Sequence, residues 1–164
     1  MESSEKQKKN RKVRKMKKKM EKIEEFEIPN MSPFDLNEFG VLAHELDNDE
    51  EALKCFNKAI ELDPNYAHSW HNKGFTLYIL GKFQEALKCI NKAIELDTNF
   101  IYAWNVKGLC LKGLGKNQEA LKCFNKAIEL DPTYDRALLN KEELERRIET
   151  LHQIKLRKKE KQTN

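Results

Sequence analysis

A segment of thirteen residues occurs three times in this chain, and each copy begins 34 residues after the one before it. Residues 51–63 and 119–131 both read EALKCFNKAIELD, and the middle copy differs from them only at Ile90. A related stretch precedes the second and third copies and places Trp70 and Trp104 at the same position of the unit. Self-similarity at a period of roughly 20–50 residues is the signature of proteins built from stacked supersecondary units. The chain is therefore predicted to fold as an array of three like units.

Each unit is predicted to consist of two amphipathic helices joined by a turn. In the second unit, Trp70, Gly74 and Leu77 recur at the spacing of one helix face, and Gly81 follows where that helix is predicted to end. The second segment has an apolar face of its own and ends at Asp97.

A glycine recurs inside the first helix of every unit, as Gly40, Gly74 and Gly108. Glycine inside a helix costs about 1 kcal/mol relative to alanine, so its repetition needs a reason. We expect a neighbouring helix to pack too closely there for any side chain, with the small Ala86 and Ala93 as the opposing contacts.

This pattern resembles the tetratricopeptide repeat, a helix–turn–helix unit of about 34 residues with Trp-x2-Leu-Gly-x2-Tyr, then Ala-x3-Phe-x2-Ala, then Pro. The resemblance covers three units, residues 33–66, 67–100 and 101–134. The third unit supplies these matching residues: Trp104, Gly108, Leu111, Ala120, Phe124, Ala127 and Pro132. Two departures are Asp47, where the turn glycine is expected, and Thr98 in place of proline. The resemblance implies an all-α fold, a right-handed α-solenoid of three repeats followed by a C-terminal capping helix.

The predicted organisation has three parts: a basic, flexible N-terminal tail over residues 1–30, the repeats over 31–134, and the capping helix over 135–164. The capping helix is expected because apolar residues from Ala137 to Ile154 form a stripe that covers the last repeat. We expect this helix to run to about Leu156 and its basic end to fray.

Charge is distributed unevenly along the chain. Residues 1–22 contain 11 basic and 3 acidic side chains, a net charge of +8, whereas residues 23–154 carry a net charge of −8. Val13, Met16, Met20 and Ile23 also form an apolar stripe on the basic segment. The tail is either solvated and disordered, or an anchor on anionic membrane, nucleic acid or the ribosome, or a helix that docks on a partner. Weak polyanion binding is thus an alternative function.

Catalytic motifs are absent from the sequence. No glycine-rich phosphate loop, nucleophile elbow or H-x-x-x-H metal pair occurs, and the 35% of charged residues is typical of solvent-faced helices rather than of a compact enzyme. His68 and His71 are three residues apart but lack a third metal ligand. We therefore expect no enzyme activity, no metal and no cofactor.

The four cysteines and the hydropathy of the chain bear on its compartment. No C-x-x-C pair occurs, and three of the cysteines recur with the repeat, so we expect reduced structural thiols. No long apolar run or leader-like segment is present, which favours a cytoplasmic protein.

In the family that the repeats resemble, the first helices line a concave groove that binds extended or helical peptides. The resemblance implies a non-enzymatic protein-interaction scaffold. The groove positions carried over are Phe34, Asn37, Val41, His68, His71, Asn72, Phe75, Tyr78, Tyr102, Asn105, Leu109 and Lys112. Exposed aromatic rings beside amides are typical of peptide recognition. The alternative is that these side chains pack only on one another or on the capping helix.

One subset of the family binds chaperone C-termini through a clamp of Lys, Asn and Arg side chains. At the clamp positions this chain has Asn37, Val41, Asn72, Tyr102 and Val106, of which only Asn72 fits. Without Lys or Arg there is no cation to pair with a terminal carboxylate. A co-chaperone of this type is not expected.

Overall fold

The computed structural model of the protein describes residues 31–163. Within that range there are seven α-helices and no strands, which confirms the all-α prediction. The helices are α1 (Pro33–Glu45), α2 (Asp49–Leu62), α3 (Ala67–Ile79), α4 (Phe83–Leu96), α5 (Ile101–Gly113), α6 (Asn117–Leu130) and α7 (Asp135–Thr163). The predicted basic tail, residues 1–30, lies outside the described residues.

The described residues divide into two compact units, the first ending at Asn72 and the second beginning at Lys73. In the first unit, α1 begins at Ser32, whose hydroxyl accepts a hydrogen bond from the Asp35 backbone N–H at 3.1 Å. Such an N-cap satisfies a donor that the first turn of a helix otherwise leaves without a partner. The helices α1 and α2 pack together over a buried cluster that contains Ala43, Ala52 and Phe56.

The second unit has its own buried cluster on α5, α6 and α7. Leu111, Ala120, Cys123, Phe124 and Leu144 form it, and all five are buried. Leu144 comes from α7, so the C-terminal helix covers the last helix pair as predicted.

The glycine inside each first helix lies against one side chain of the following helix. A Cβ atom at Gly40 or Gly108 would come within 2.4 Å of the ring of Phe56 or Phe124, respectively, and one at Gly74 would come within 2.7 Å of the Ile90 side chain. The expected close approach is therefore confirmed.

The opposing residue, however, is not the one we expected. The large Ile90 faces Gly74, Ala86 contributes only its carbonyl oxygen at 3.2 Å, and Ala93 is not among the nearest neighbours. The glycine makes room for a large side chain, and the alanines are buried elsewhere in the interface.

The turns inside the helix pairs share a left-handed residue. Gly81 and Gly115 have φ of 74° and 76°, and Asp47 has φ of 60° at the equivalent place. Asp47 thus adopts a conformation that glycine reaches without steric cost.

The helix α7 is about twice as long as the others, with 29 residues against 13 or 14. Ala137 and Leu144 are buried, Ile148 is half-buried, and residues 149–159 are all exposed. We predicted that the helix ends near Leu156, but it continues to Thr163. The residues of this end, mainly Lys, Arg, Gln and Leu, have favourable helix propensities, which is consistent with the longer helix.

Among residues 31–163, no helix has the length and apolar character needed to cross a membrane.

Candidate functional site

Four of the predicted groove residues lie along one side of α5 in the second unit. Tyr102, Asn105, Leu109 and Lys112 are spaced by three, four and three residues, which places them in one row. Tyr102 is 55% exposed, whereas Leu109 packs partly against the core cluster. Tyr102 is therefore the most exposed side chain of this row.

The helix α7 and the turn before it hold this row in place. The ring of Tyr102 meets the ring of Tyr134 edge to face, with centroids 5.3 Å apart. At the other end, the Lys112 ammonium lies 2.9 Å from a carboxylate oxygen of Glu143. This pair lowers the pKa of Glu143 through the hydrogen bond and the positive charge of Lys112. The charge of Lys112 is thus matched within the protein.

Asn105 is buried rather than presented to a partner. Its carbonyl oxygen accepts a hydrogen bond from the Asn140 amide at 2.8 Å, and its own amide donates to the Tyr134 hydroxyl at 3.5 Å. Only 5% of Asn105 is exposed. Its amide therefore holds α7 against α5, and the predicted contact with a partner backbone is not retained.

Asn37 plays the same part in the first unit. It is 2% exposed, and its carbonyl oxygen accepts hydrogen bonds from the Asn72 amide at 2.9 Å and the Ser69 hydroxyl at 3.3 Å. The Asn37–Asn72 and Asn105–Asn140 pairs have the same separation of 35 residues. Each pair joins one first helix to the next one along the chain, at the first and third repeats, whereas the second repeat has His71 and Val106 at these positions.

The remaining predicted residues of the first unit differ in exposure. Phe34 is 58% exposed, and the exposed His68 stacks on Tyr66 with ring centroids 5.4 Å apart. Val41 packs against the core cluster of α1 and α2. Phe34 and His68 are thus the most exposed of the predicted groove residues in this unit.

His71 is half-buried in the first unit. Burial lowers its pKa to about 4, although a hydrogen bond to Asn72 at 3.1 Å opposes this shift. A side chain with this pKa is neutral at physiological pH, so His71 presents no charge to a ligand.

Phe75 and Tyr78 of the second unit are half-buried members of an aromatic group. Their ring centroids lie 6.3 Å apart, and Tyr78 lies 5.9 Å from Phe83. Burial raises the pKa of Tyr78. These rings pack on neighbours of their own unit and also leave part of their surface in solvent.

Sequence reasoning missed the contribution of α7 to this side of the second unit. Leu139 is 60% exposed and stands four residues before Glu143, the partner of Lys112, so both lie on one side of α7. The repeat period could have identified Leu139 in the sequence, because Leu139 follows Asn105, a predicted groove residue, by 34 residues. We call the exposed side formed by Tyr102, Leu109, Lys112, Leu139 and Glu143 the α5–α7 face.

The cysteines are free, as predicted, and unsuited to nucleophilic chemistry. Burial raises the pKa of Cys55 to about 11 and that of Cys110 to about 12, and it also raises the pKa of Cys89 and Cys123. In the described part of the chain, no group of three or more His, Cys, Asp or Glu residues could hold a metal ion.

Comparison with solved structures identifies domains of the same architecture. The first TPR domain of Spaghetti (RPAP3), bound to the HSP90 peptide SRMEEVD, matches with a TM-score of 0.69 at 24% identity, over 71% of this chain and 93% of that one. The second TPR domain of human RPAP3, in complex with the HSP70 peptide SGPTIEEVD, has a TM-score of 0.65 at 24% identity, over 70% of this chain and 98% of that one. At this identity the likeness shows the fold.

A curated relative matches over a single repeat. An uncharacterized protein of Methanocaldococcus jannaschii, MJ0572, is 56% identical over 34 residues, which is 21% of this chain and 40% of that protein. The chain thus spans well under half of the length of that relative.

Family models described as the tetratricopeptide repeat match three stretches of the sequence, residues 33–66, 55–88 and 101–134. The match over 55–88 begins in α2 and ends in α4, one helix earlier than the predicted second unit of 67–100. This shift is expected when first and second helices alternate along the chain. On its repeats, its helices and its structural neighbours, the chain belongs to the tetratricopeptide repeat family.

Proposed function

We propose that the chain is a non-enzymatic interaction scaffold that binds a partner peptide on the side lined by its first helices. The observation that carries this proposal is the exposure of Tyr102 on the α5–α7 face, with Leu139 exposed on the same side. The structural neighbours RPAP3 and Spaghetti bind peptides, which supports a peptide as the partner.

The α5–α7 face offers apolar area between polar groups. Tyr102 and Leu139 are 55% and 60% exposed, and the Lys112–Glu143 pair lies on the same side. Aromatic side chains at the centre of an interface supply most of its binding energy, and neighbouring polar groups exclude water around them. We infer that this face binds an apolar side chain of the partner.

The first unit has exposed side chains of its own, Phe34 on α1 and His68 on α3. Considered by itself, this unit offers a partner the apolar ring of Phe34 and the flat ring of His68 stacked on Tyr66. Asn37 and Asn105 are excluded from the proposed site because they are buried and hydrogen-bonded inside the fold, and His71 is excluded because it is half-buried and hydrogen-bonded to Asn72.

The partner peptide is proposed to be apolar rather than an acidic C-terminal tail. Of the clamp positions, Asn37 and Val106 are buried, and Val41 packs on the core of α1 and α2. Lys112 on the α5–α7 face is already paired with Glu143. These residues leave an acidic tail no cation in the clamp register, so its desolvation would be uncompensated.

A selection from a random peptide library on the immobilised full chain tests this proposal, followed by calorimetry on the selected peptides. We expect Tyr102→Ala with Leu139→Ala to weaken binding by about 2 kcal/mol or more, as loss of hot-spot side chains does. The matched control is Leu62→Ala on α2, which removes a side chain of similar exposure, 50%, outside the first helices.

The synthetic peptides SRMEEVD and SGPTIEEVD serve as acidic probes in the same calorimeter. We expect them to bind much more weakly than the selected peptides. Unchanged affinity in a double variant with native helicity would remove the α5–α7 face as the site, and tight binding of the acidic probes would contradict the proposed ligand class.

A second candidate function, association with polyanions, is favoured by the net charge of +8 on residues 1–22. If about five of these basic side chains contact phosphates of duplex DNA, log K should fall against log salt with a slope of about −4.5. Fluorescence anisotropy on labelled duplex, single-stranded RNA and anionic vesicles tests this with the full chain and a chain that lacks residues 1–22. If the shortened chain still binds, or if the affinity does not change with salt concentration, the tail is not the polyanion-binding segment.

A further inference from the structure

The outer half of α7, residues 149–163, extends past the repeat core that buries Ala137 and Leu144. No side chain from residue 149 to residue 159 is buried, and the last half-buried apolar residue is Ile148. At about 1.5 Å per residue, this segment is roughly 20 Å long. A lone helix of that length is marginal in water, and its stability comes from covering an amphipathic face.

The apolar stripe of α7 continues onto this outer half. Leu144 is buried under the third repeat, Ile148 is half-buried, and Leu151 and Ile154 follow at steps of three residues with 45% and 44% of their surface exposed. The spacing keeps these side chains on one side of the helix. The same stripe that covers the repeat core therefore remains uncovered at its far end.

The charges beside the stripe change sign along the helix. Residues 142–149 contain four carboxylates and two arginines, whereas residues 155–159 contain Lys155, Arg157, Lys158 and Lys159 and no carboxylate. Two such helices in antiparallel alignment about Leu151 and His152 place the acidic stretch of each beside the basic stretch of the other. A parallel alignment places like charges side by side.

We propose that the outer half of α7 pairs antiparallel with the same segment of a second copy, so that the chain forms a homodimer through its C-terminal helix. Leu151 and Ile154 of the two copies cover one another, and Glu145 of each copy comes level with Lys158 of the other. The proposal does not depend on peptide binding, because Leu151 and Ile154 lie outside the α5–α7 face.

A second copy fits both halves of this segment better than other occupants do. An anionic membrane or a nucleic acid attracts residues 155–159 but is repelled by Glu142, Glu145 and Glu149. A nucleic acid also leaves the Leu151–Ile154 stripe in water. An antiparallel second copy covers the apolar stripe and places opposite charges beside both charged stretches.

Sedimentation equilibrium of the full chain over a concentration series tests the dimer. We expect Leu151→Glu with Ile154→Glu to raise the dimer dissociation constant at least about 100-fold, because four apolar side chains lose their cover in each dimer. The control is Leu62→Glu, which adds a charge at a comparably exposed leucine on α2 and leaves dimerisation unchanged. Near-native circular dichroism of the repeats in both variants excludes unfolding as the cause.

Cysteine cross-linking tests the orientation. A chain with Glu145→Cys is mixed with a chain with Lys158→Cys under mild oxidation, and the parent chain with its native thiols serves as the blank. We expect the mixed 145–158 disulfide to exceed the 145–145 and 158–158 products by at least about tenfold. A preponderance of the symmetric products would overturn the antiparallel arrangement.

Two results would overturn the dimer itself. One is a monomer at all concentrations up to about 100 µM, and the other is a dimer that the Leu151→Glu, Ile154→Glu variant leaves intact. A monomer that binds vesicles of phosphatidylserine through residues 149–163 would assign the stripe to a membrane surface instead.

Discussion

The half-buried His71 makes the stability of the fold dependent on pH. Its pKa is lowered from 6.5 to about 4 by burial, so the folded protein keeps it neutral at pH values where the unfolded chain protonates it. Above about pH 6.5, the pKa of histidine in the unfolded chain, both states keep His71 neutral and it does not lower the free energy of unfolding. As the pH falls from about 6.5 toward 4, the unfolded state binds a proton that the folded state does not, and stability is lost.

The size of the loss follows from the two pKa values. A difference of 2.5 units amounts to roughly 3 kcal/mol when integrated over the whole range. Between about pH 7.5 and about pH 5, the linkage relation gives a loss of about 2 kcal/mol from this residue alone. Such a loss is a large fraction of the stability of a small domain.

Urea unfolding at a series of pH values, followed by circular dichroism, measures this dependence. The control is His71→Asn, since asparagine occupies the equivalent positions 37 and 105 and does not titrate. We expect the wild-type chain to lose about 2 kcal/mol more than the variant between those two pH values. Equal losses in the two chains would refute the argument, and an NMR titration that places the His71 pKa near 6.5 would show that burial does not shift it.

Four further substitutions test the packing of the repeats by urea unfolding. Asp47→Gly should raise stability by about 0.5–1 kcal/mol because it relieves a left-handed aspartate, and Gly81→Asp should lower stability by a comparable amount; opposite signs would contradict the strain argument. Gly108→Ala should cost about 1–3 kcal/mol, because the added methyl group would lie 2.4 Å from the Phe124 ring; a neutral result would mean that the ring moves aside freely. Trp104→Phe should cost about 1 kcal/mol, because it removes the indole donor that lies 2.9 Å from the Thr98 carbonyl; no loss would show that water replaces this bond.

The fold could be predicted because its information is repeated. Three copies of one pattern at a fixed period determine the helix pairs, and a glycine at the same place in each first helix signals the close packing that the structure shows. The same pattern cannot identify the opposing residue. Ile90 and Ala86 lie on one face of α4, and only the depth of the helix contact decides that the larger side chain fills the space above Gly74.

The candidate site was less predictable because exposure depends on the neighbouring helix. Asn37 and Asn105 stand at family groove positions, yet an amide donor at Asn72 or Asn140, 35 residues later, draws each of them into the interior. A pattern of single positions does not reveal such pairs. Leu139 was overlooked for the opposite reason: α7 was treated as a cap, although its first turns keep the register of a first helix.

Glu142 occupies the position of α7 at which the repeats have a glycine. It stands 34 residues after Gly108, at the position where the three earlier first helices have glycine, and its side chain is exposed. A further second helix of the same kind would have to place its Phe or Ile where the Glu142 side chain begins. We therefore expect that a duplicate of residues 117–134 placed after α7 would not pack on it unless Glu142 were also replaced by glycine.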